Sequence, residues 1–206
     1  MSSGQREVFR RGMPVAIWWV WLVFAVANLA DLAVQARTHF AAVVAAILVT
    51  VTGVAYACAL RPRVIADDAG ITVVNPLRDY RVPWGAVERV DVREWVRVHA
   101  ARAPGAETGK TIDSWALFAP ARVKRNSERK AKDLTAGSAD AARLPEEARN
   151  LMSLPPVLFI ARRLDERARR ERDRGAPAGP LTAAWAWPSL AAMAVPAIAL
   201  LIIAFA

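Results

Sequence analysis

Three blocks of the chain, residues 14–36, 40–60 and 183–206, are almost wholly apolar, and Asp31 is the only charge inside them. About 20 residues at 1.5 Å each cross a hydrocarbon layer of ~30 Å, so each block is long enough to span a bilayer. With 55% hydrophobic residues overall, the chain is too apolar for an ordinary soluble domain, and the blocks hold the excess. The first block is also too long for a cleaved signal peptide, and a second follows it almost at once.

Arg37, Thr38 and His39 alone separate the first two blocks, which predicts a tight antiparallel hairpin of helices. Arg6, Arg10, Arg11, Arg61 and Arg63 flank one end of that hairpin, whereas Arg37 and His39 flank the other. Basic residues accumulate on the cytoplasmic side of membrane proteins, so this asymmetry places the N-terminus and the long charged segment in the cytoplasm. The predicted organisation is a cytoplasmic N-terminus (1–13), spans at 14–36 and 40–60, a cytoplasmic domain at 61–174, a linker at 175–182 and a third span at 183–206. Asn28, Asp31 and Gln35 share a face of the first span. The second span offers them only Thr50 and Thr52, so a transport pathway lacks a partner acid or base.

The charged segment opens with strand signals. Val64-Ile65, Ile71-Thr72-Val73-Val74 and Tyr80-Arg81-Val82 read as strands. Asp67-Asp68-Ala69-Gly70 reads as a turn with Gly70 at positive φ, and Asn75-Pro76 and Pro83-Trp84 end the next two strands. Val90, Val92, Val96 and Val98 then alternate with Arg89, Asp91, Arg93, Trp95, Arg97 and His99, which predicts one long half-buried strand bulged at Glu94-Trp95. A hairpin loop over 100–111 leads to a strand at 114–119. Leu144-Pro145-Glu146-Glu147 reads as a helix start. Val157, Ile160, Ala161, Leu164 and Ala168 give the apolar stripe of an amphipathic helix. Trp84 is expected beneath the sheet, beside Val74, Val90 and that stripe.

The run Ala66-Asp67-Asp68-Ala69-Gly70-Ile71-Thr72-Val73, then Asn75-Pro76-Leu77-Arg78, then Arg81-Val82-Pro83-Trp84 and Val87, resembles bacterial PH-like (pleckstrin-homology-like) domain proteins. It is most similar to a membrane-anchored actinobacterial group related to the low-molecular-weight antigen PH-like family. The resemblance covers 61–119 and extends to the helix at 157–172. It implies a PH-like bent sheet or barrel. The basic insertion at 122–137 departs from it, and strands six and seven are unplaced. The fold class is therefore membrane α plus α+β: three transmembrane helices, with a PH-like barrel and its C-terminal amphipathic helix between the second and third.

The net charge is +9, most of it in the central segment. Arg122, Lys124, Arg125, Arg129, Lys130 and Lys132 in the insertion, with Arg78 and Arg81, are the candidate contacts for anionic lipid or a partner. The insertion reads equally as a solvated loop, and it lacks the interleaved aromatics that nucleic-acid binding calls for. In eukaryotic PH domains the loops between the first strands hold phosphoinositide heads. Here the first turn carries Asp67 and Asp68, which argues against that mode. Two histidines, one cysteine inside a span and no Gly-rich phosphate loop support no catalytic, cofactor or metal site. The expected protein is a multi-pass cell-membrane interaction or scaffold module and not an enzyme. Its expected partners are membrane lipids and a membrane or cytoplasmic protein. The competing readings are a small transport or channel subunit and an envelope enzyme with an unrecognised site.

Overall fold

The computed structural model describes residues 6–35, 38–101, 109–118 and 156–205. The insertion at 122–137, the helix start at Leu144 and most of the 100–111 loop lie outside the described residues. Strands β1 (Glu7–Phe9), β2 (Arg63–Ala66), β3 (Gly70–Val74), β4 (Arg78–Pro83) and β8 (Thr182–Trp185) form one antiparallel sheet in the order β1-β2-β3-β4-β8. Strands β5 (Val87–Val92), β6 (Trp95–Ala100) and β7 (Lys110–Phe118) form a second sheet. Helices α1 (Gly12–Gln35), α2 (His39–Ala55) and α4 (Trp187–Phe205) are the apolar ones, and α3 (Pro156–Asp173) is amphipathic. Gly12–Val34, His39–Leu60 and Trp187–Phe205 are each long and apolar enough to cross a membrane.

One core joins both sheets and α3. Val64, Ala66, Ile71, Val73 and Val82 come from the first sheet, and Val87, Val90, Val96, Val98 and Ile112 from the second. Ala161, Leu164 and Ala168 of α3, three positions of the predicted stripe, are buried with them. The α3 carboxylate Asp165 accepts the Val90 backbone N–H at 2.8 Å. That bond satisfies a donor on β5, the edge strand over which α3 lies, and so covers an edge that would otherwise template pairing.

Several sequence expectations change, and β7 already begins at Lys110, inside the expected loop. The stretch at 87–100 is a hairpin and not one bulged strand: Val90 pairs with Val98 and Val92 with Val96 across a turn at Arg93 and Glu94. In this register even-numbered residues pair with even-numbered ones, so the in–out alternation passes through the turn without a break. The Asp67–Gly70 turn forms, but Gly70 does not adopt a positive φ. The Asp67 carboxylate accepts from the backbone N–H groups of Ala69 and Gly70 at 2.9 and 3.0 Å. Glycine is required here by crowding, since a Cβ at residue 70 would lie 2.2 Å from the Val82 carbonyl oxygen.

The two edge strands flank the apolar helices. β1 precedes α1, and Phe9 packs against the core. At the third apolar block the helix begins at Trp187, not Ala183, because Thr182–Trp185 is spent on pairing with β4. The Ala186 N–H then donates to the Leu77 carbonyl at 3.0 Å, and Pro188 occupies the first turn of α4, where a missing N–H costs nothing.

This arrangement fixes a polarity. β1 runs into α1, β2 runs out of the α2 helix, and β8 runs into α4. The antiparallel ladder carries all three junctions to the same end of the sheet, at the pairs Phe9–Val64, Arg63–Val74 and Arg78–Trp185. The Asp67–Ala69 turn lies at the opposite end, next to the pair Gly70–Pro83.

Candidate site at the junction of domain and helices

The end of α2 is held by ion pairing. Arg61, the first residue after the helical run, gives two hydrogen bonds to the Asp79 carboxylate on β4 at 2.9 and 2.7 Å. It also donates to the Asn75 carbonyl. Its side chain is only 11% exposed, so this arginine works as a structural bracket between helix and sheet.

Asn75, at the β3–β4 turn, joins the two sheets. Its side-chain amide donates to the Asp113 carbonyl at 2.8 Å, and its side-chain oxygen accepts the Trp115 backbone N–H at 3.0 Å. The side chain thus pairs with β7 as a short strand would, and it sets the height of Trp115. Asn75→Ala is expected to cost about 1–3 kcal/mol for two hydrogen bonds. The readout is hydrogen exchange: the Trp115 amide should lose its protection, and unchanged exchange would show that this bond does not hold β7.

Aromatic side chains collect at the same end. The Trp95 ring lies 5.8 Å from Trp115 and 4.6 Å from Phe118, centroid to centroid. A cavity of about 210 Å³ lies between this cluster and the helix ends, lined by Arg11, Pro14, Cys58, Pro62, Trp95, Trp115 and Phe118, among others. A second cleft, of about 520 Å³, shares Trp115 and Cys58 with the first. Asn75, Pro76, Leu77, Arg78 and Tyr80 form its domain wall, Cys58 and Met193 its helix wall, and Trp115 and Trp185 its sides. The helix wall is irregular at this point, because the last turn of the α2 run, Tyr56–Leu60, is a π-helix. Such insertions occur often at functional sites.

The two sequence-predicted arginines of β4 separate. Arg78 lies at the helix end, with its guanidinium carbon 3.9 Å from the centre of the Trp185 ring. Arg81 lies toward the opposite end and pairs with Asp67 at 3.2 Å. Arg122, Lys124, Arg125, Arg129, Lys130 and Lys132 lie outside the described residues. Strand β7, which leads toward them, ends at Phe118 in the aromatic cluster.

Trp84 is buried, 1% exposed, in the core that also holds Val90 and the α3 stripe, as expected; of the predicted neighbours only Val74 lies elsewhere. Its indole N–H donates to the Asp67 carbonyl at 2.8 Å and Arg167 of α3 lies over its ring at 5.0 Å, both at the end away from the helices. Val74 lies at the other end of β3, beside Arg63 and Asp79. His99 is hydrogen-bonded across strands to Asp91 and Thr111, both at 3.1 Å. Among the described residues no group of three or more His, Cys, Asp or Glu side chains converges as a metal site would require.

A profile of the family described as Bacterial PH domain matches residues 61–175, more than half of the 206-residue chain. The chain belongs to this bacterial PH domain family. Comparison with curated proteins and with solved structures gave no match.

Proposed function

We propose that this protein is a multi-pass membrane protein that holds a PH-like interaction or scaffold module against the inner face of the cell membrane. The carrying observation is that all three apolar helices join one end of one sheet. The domain therefore has a fixed attitude: its aromatic end faces the bilayer, and the Asp67 turn and the far end of α3 face the solvent and a protein partner. PH-like domains are in general binding modules and not enzymes, which favours this reading over an envelope enzyme. The run 66–87 also supports kinship with the membrane-anchored actinobacterial group. Strand β7 ends at Phe118, at the helix end of the domain, and any Lys or Arg of the basic insertion that comes near anionic headgroups would gain about 1 kcal/mol. Because the helices already anchor the chain, that attraction orients the domain and does not recruit it.

Sidedness rests on the arginines at the junctions and is tested directly. In a Cys58→Ala background, Ser138→Cys should resist a membrane-impermeant thiol reagent in intact cells and label fully after permeabilisation. Labelling in intact cells would put the domain outside. The scaffold role is tested by crosslinking in membranes: a partner captured by the intact chain should be lost when the domain alone is unfolded by Trp84→Ala.

A further inference from the structure

We propose that the cleft of about 520 Å³ beneath the β3–β4 turn binds one anionic phospholipid, its phosphate at Arg78 and the upper part of an acyl chain between Trp115, Trp185 and Met193. The inference rests on the membrane reading above and deepens it.

The location carries the first part of the argument. One wall of the cleft belongs to helices that are long and apolar enough to span a bilayer, through Cys58 and Met193. The opposite wall belongs to the soluble domain. A cleft shared in this way opens at the depth where headgroups meet acyl chains. Its volume falls within the range of roughly 300–1,000 Å³ usual for small-ligand sites.

The lining carries the second part. Leu77, Trp115 and Trp185 are 48%, 54% and 51% exposed, unusual for large apolar side chains grouped at one end of a domain. Tryptophan is favoured at headgroup depth, where its ring meets tails and its N–H meets water. Among these apolar walls stands one cation. Arg78 makes no ion pair with any described residue, and Asp79, the acid beside it, is already occupied by Arg61. With the Trp185 ring under its face, the guanidinium keeps its edge N–H groups for an anion, and two such donors match the geometry of a phosphate.

The polarity of the fold carries the third part. The first turn of the domain is acidic, with Asp67 and Asp68, and it lies at the end away from the helices. Lipid contact falls instead to the opposite end, where Arg78 is the cation within the larger cleft.

The test uses the full chain in nanodiscs carrying trace photoactivatable phosphatidylglycerol or phosphatidylcholine. Crosslinks from the anionic lipid should map to 75–80 and 185–193. They should exceed those from the zwitterionic lipid by about fivefold, the factor set by roughly 1 kcal/mol for one cation near a headgroup. Arg78→Gln should bring the two lipids level, and Arg78→Lys should restore part of the difference. Arg81→Gln removes the same charge at the other end of β4 and should change nothing. Equal labelling by both lipids in the unmodified chain, or equal losses in Arg78→Gln and Arg81→Gln, overturns the assignment. The nanodisc result does not depend on sidedness, so failure of the Ser138→Cys assay changes only which leaflet supplies the lipid.

Discussion

Trp84→Ala is expected to unfold the PH-like domain while leaving the three apolar helices inserted. The indole is 1% exposed and shares the core with Val87, Val90, Leu164 and Ala168. Truncating a buried aromatic costs ~3–5 kcal/mol. A domain of this size has roughly 5–15 kcal/mol in hand. The lost indole N–H also strands the Asp67 carbonyl, which keeps only the longer contact from Arg167 at 3.2 Å. Trp84→Phe keeps most of the packing and loses the hydrogen bond, so its cost should be near 1 kcal/mol plus the unfilled part of the indole site. Limited proteolysis of the full chain in membranes reads the difference. Cleavage within 61–175 should accelerate strongly for alanine and modestly for phenylalanine. Unchanged resistance in the alanine variant would mean that Trp84 contributes little to the core.

Trp84 also shows which structural features can be read from sequence alone. Its burial is legible because Pro83 fixes the backbone before it and the apolar residues around it alternate. The separation of Val74 from it is not, because a β-strand has two ends, and local pattern does not say which end of β3 the next turn faces. The hairpin at 87–100 misled for a related reason. Periodicity reports which face a residue occupies, and a turn whose register pairs even with even leaves that periodicity intact. The edge strands were hidden by their neighbours. Glu7-Val8-Phe9 is too short to register as a strand, and Thr182–Trp185 reads as the start of the apolar block that follows it. Both become strands only because β2 and β4 offer them free edges. The site at the junction had one visible trace. Trp95 falls on the charged face of its strand, among Arg93, Arg97 and His99, where an ordinary solvated face would not hold a tryptophan. Asn75 gave no comparable signal, since an Asn before a Pro is explained by the turn alone, and its bonds to β7 span 38 and 40 residues.

Gly53→Val is expected to be the most damaging substitution within the helices. A Cβ built on Gly53 would lie 1.9 Å from the Ala192 carbonyl oxygen and 2.8 Å from its carbon. Both atoms are backbone, so no side chain can swing aside to make room. Ser189, a turn earlier on α4, is fully buried, and α2 and α4 thus meet through small residues. In a bilayer the lipid tails are as apolar as the side chains, so close packing of this kind must supply much of the association. Overpacking costs ~1–3 kcal/mol where side chains can adjust, and backbone against backbone belongs at the top of that range. The strain would not stay local. α4 continues through Ala186 into β8, which pairs with β4, and α2 continues through Arg61 to Asp79 on the same strand. Prising the helices apart therefore pulls on β4 from both sides and widens the cleft above Cys58 and Met193. Thermal unfolding of the full chain in one fixed detergent should show a graded loss from glycine to alanine to valine at residue 53. Gly12→Ala is the control, since nothing lies within 4 Å of a Cβ there. A valine variant that melts with the unmodified chain would show that α2 and α4 do not pack backbone to backbone, and the shared cleft would lose its helix wall.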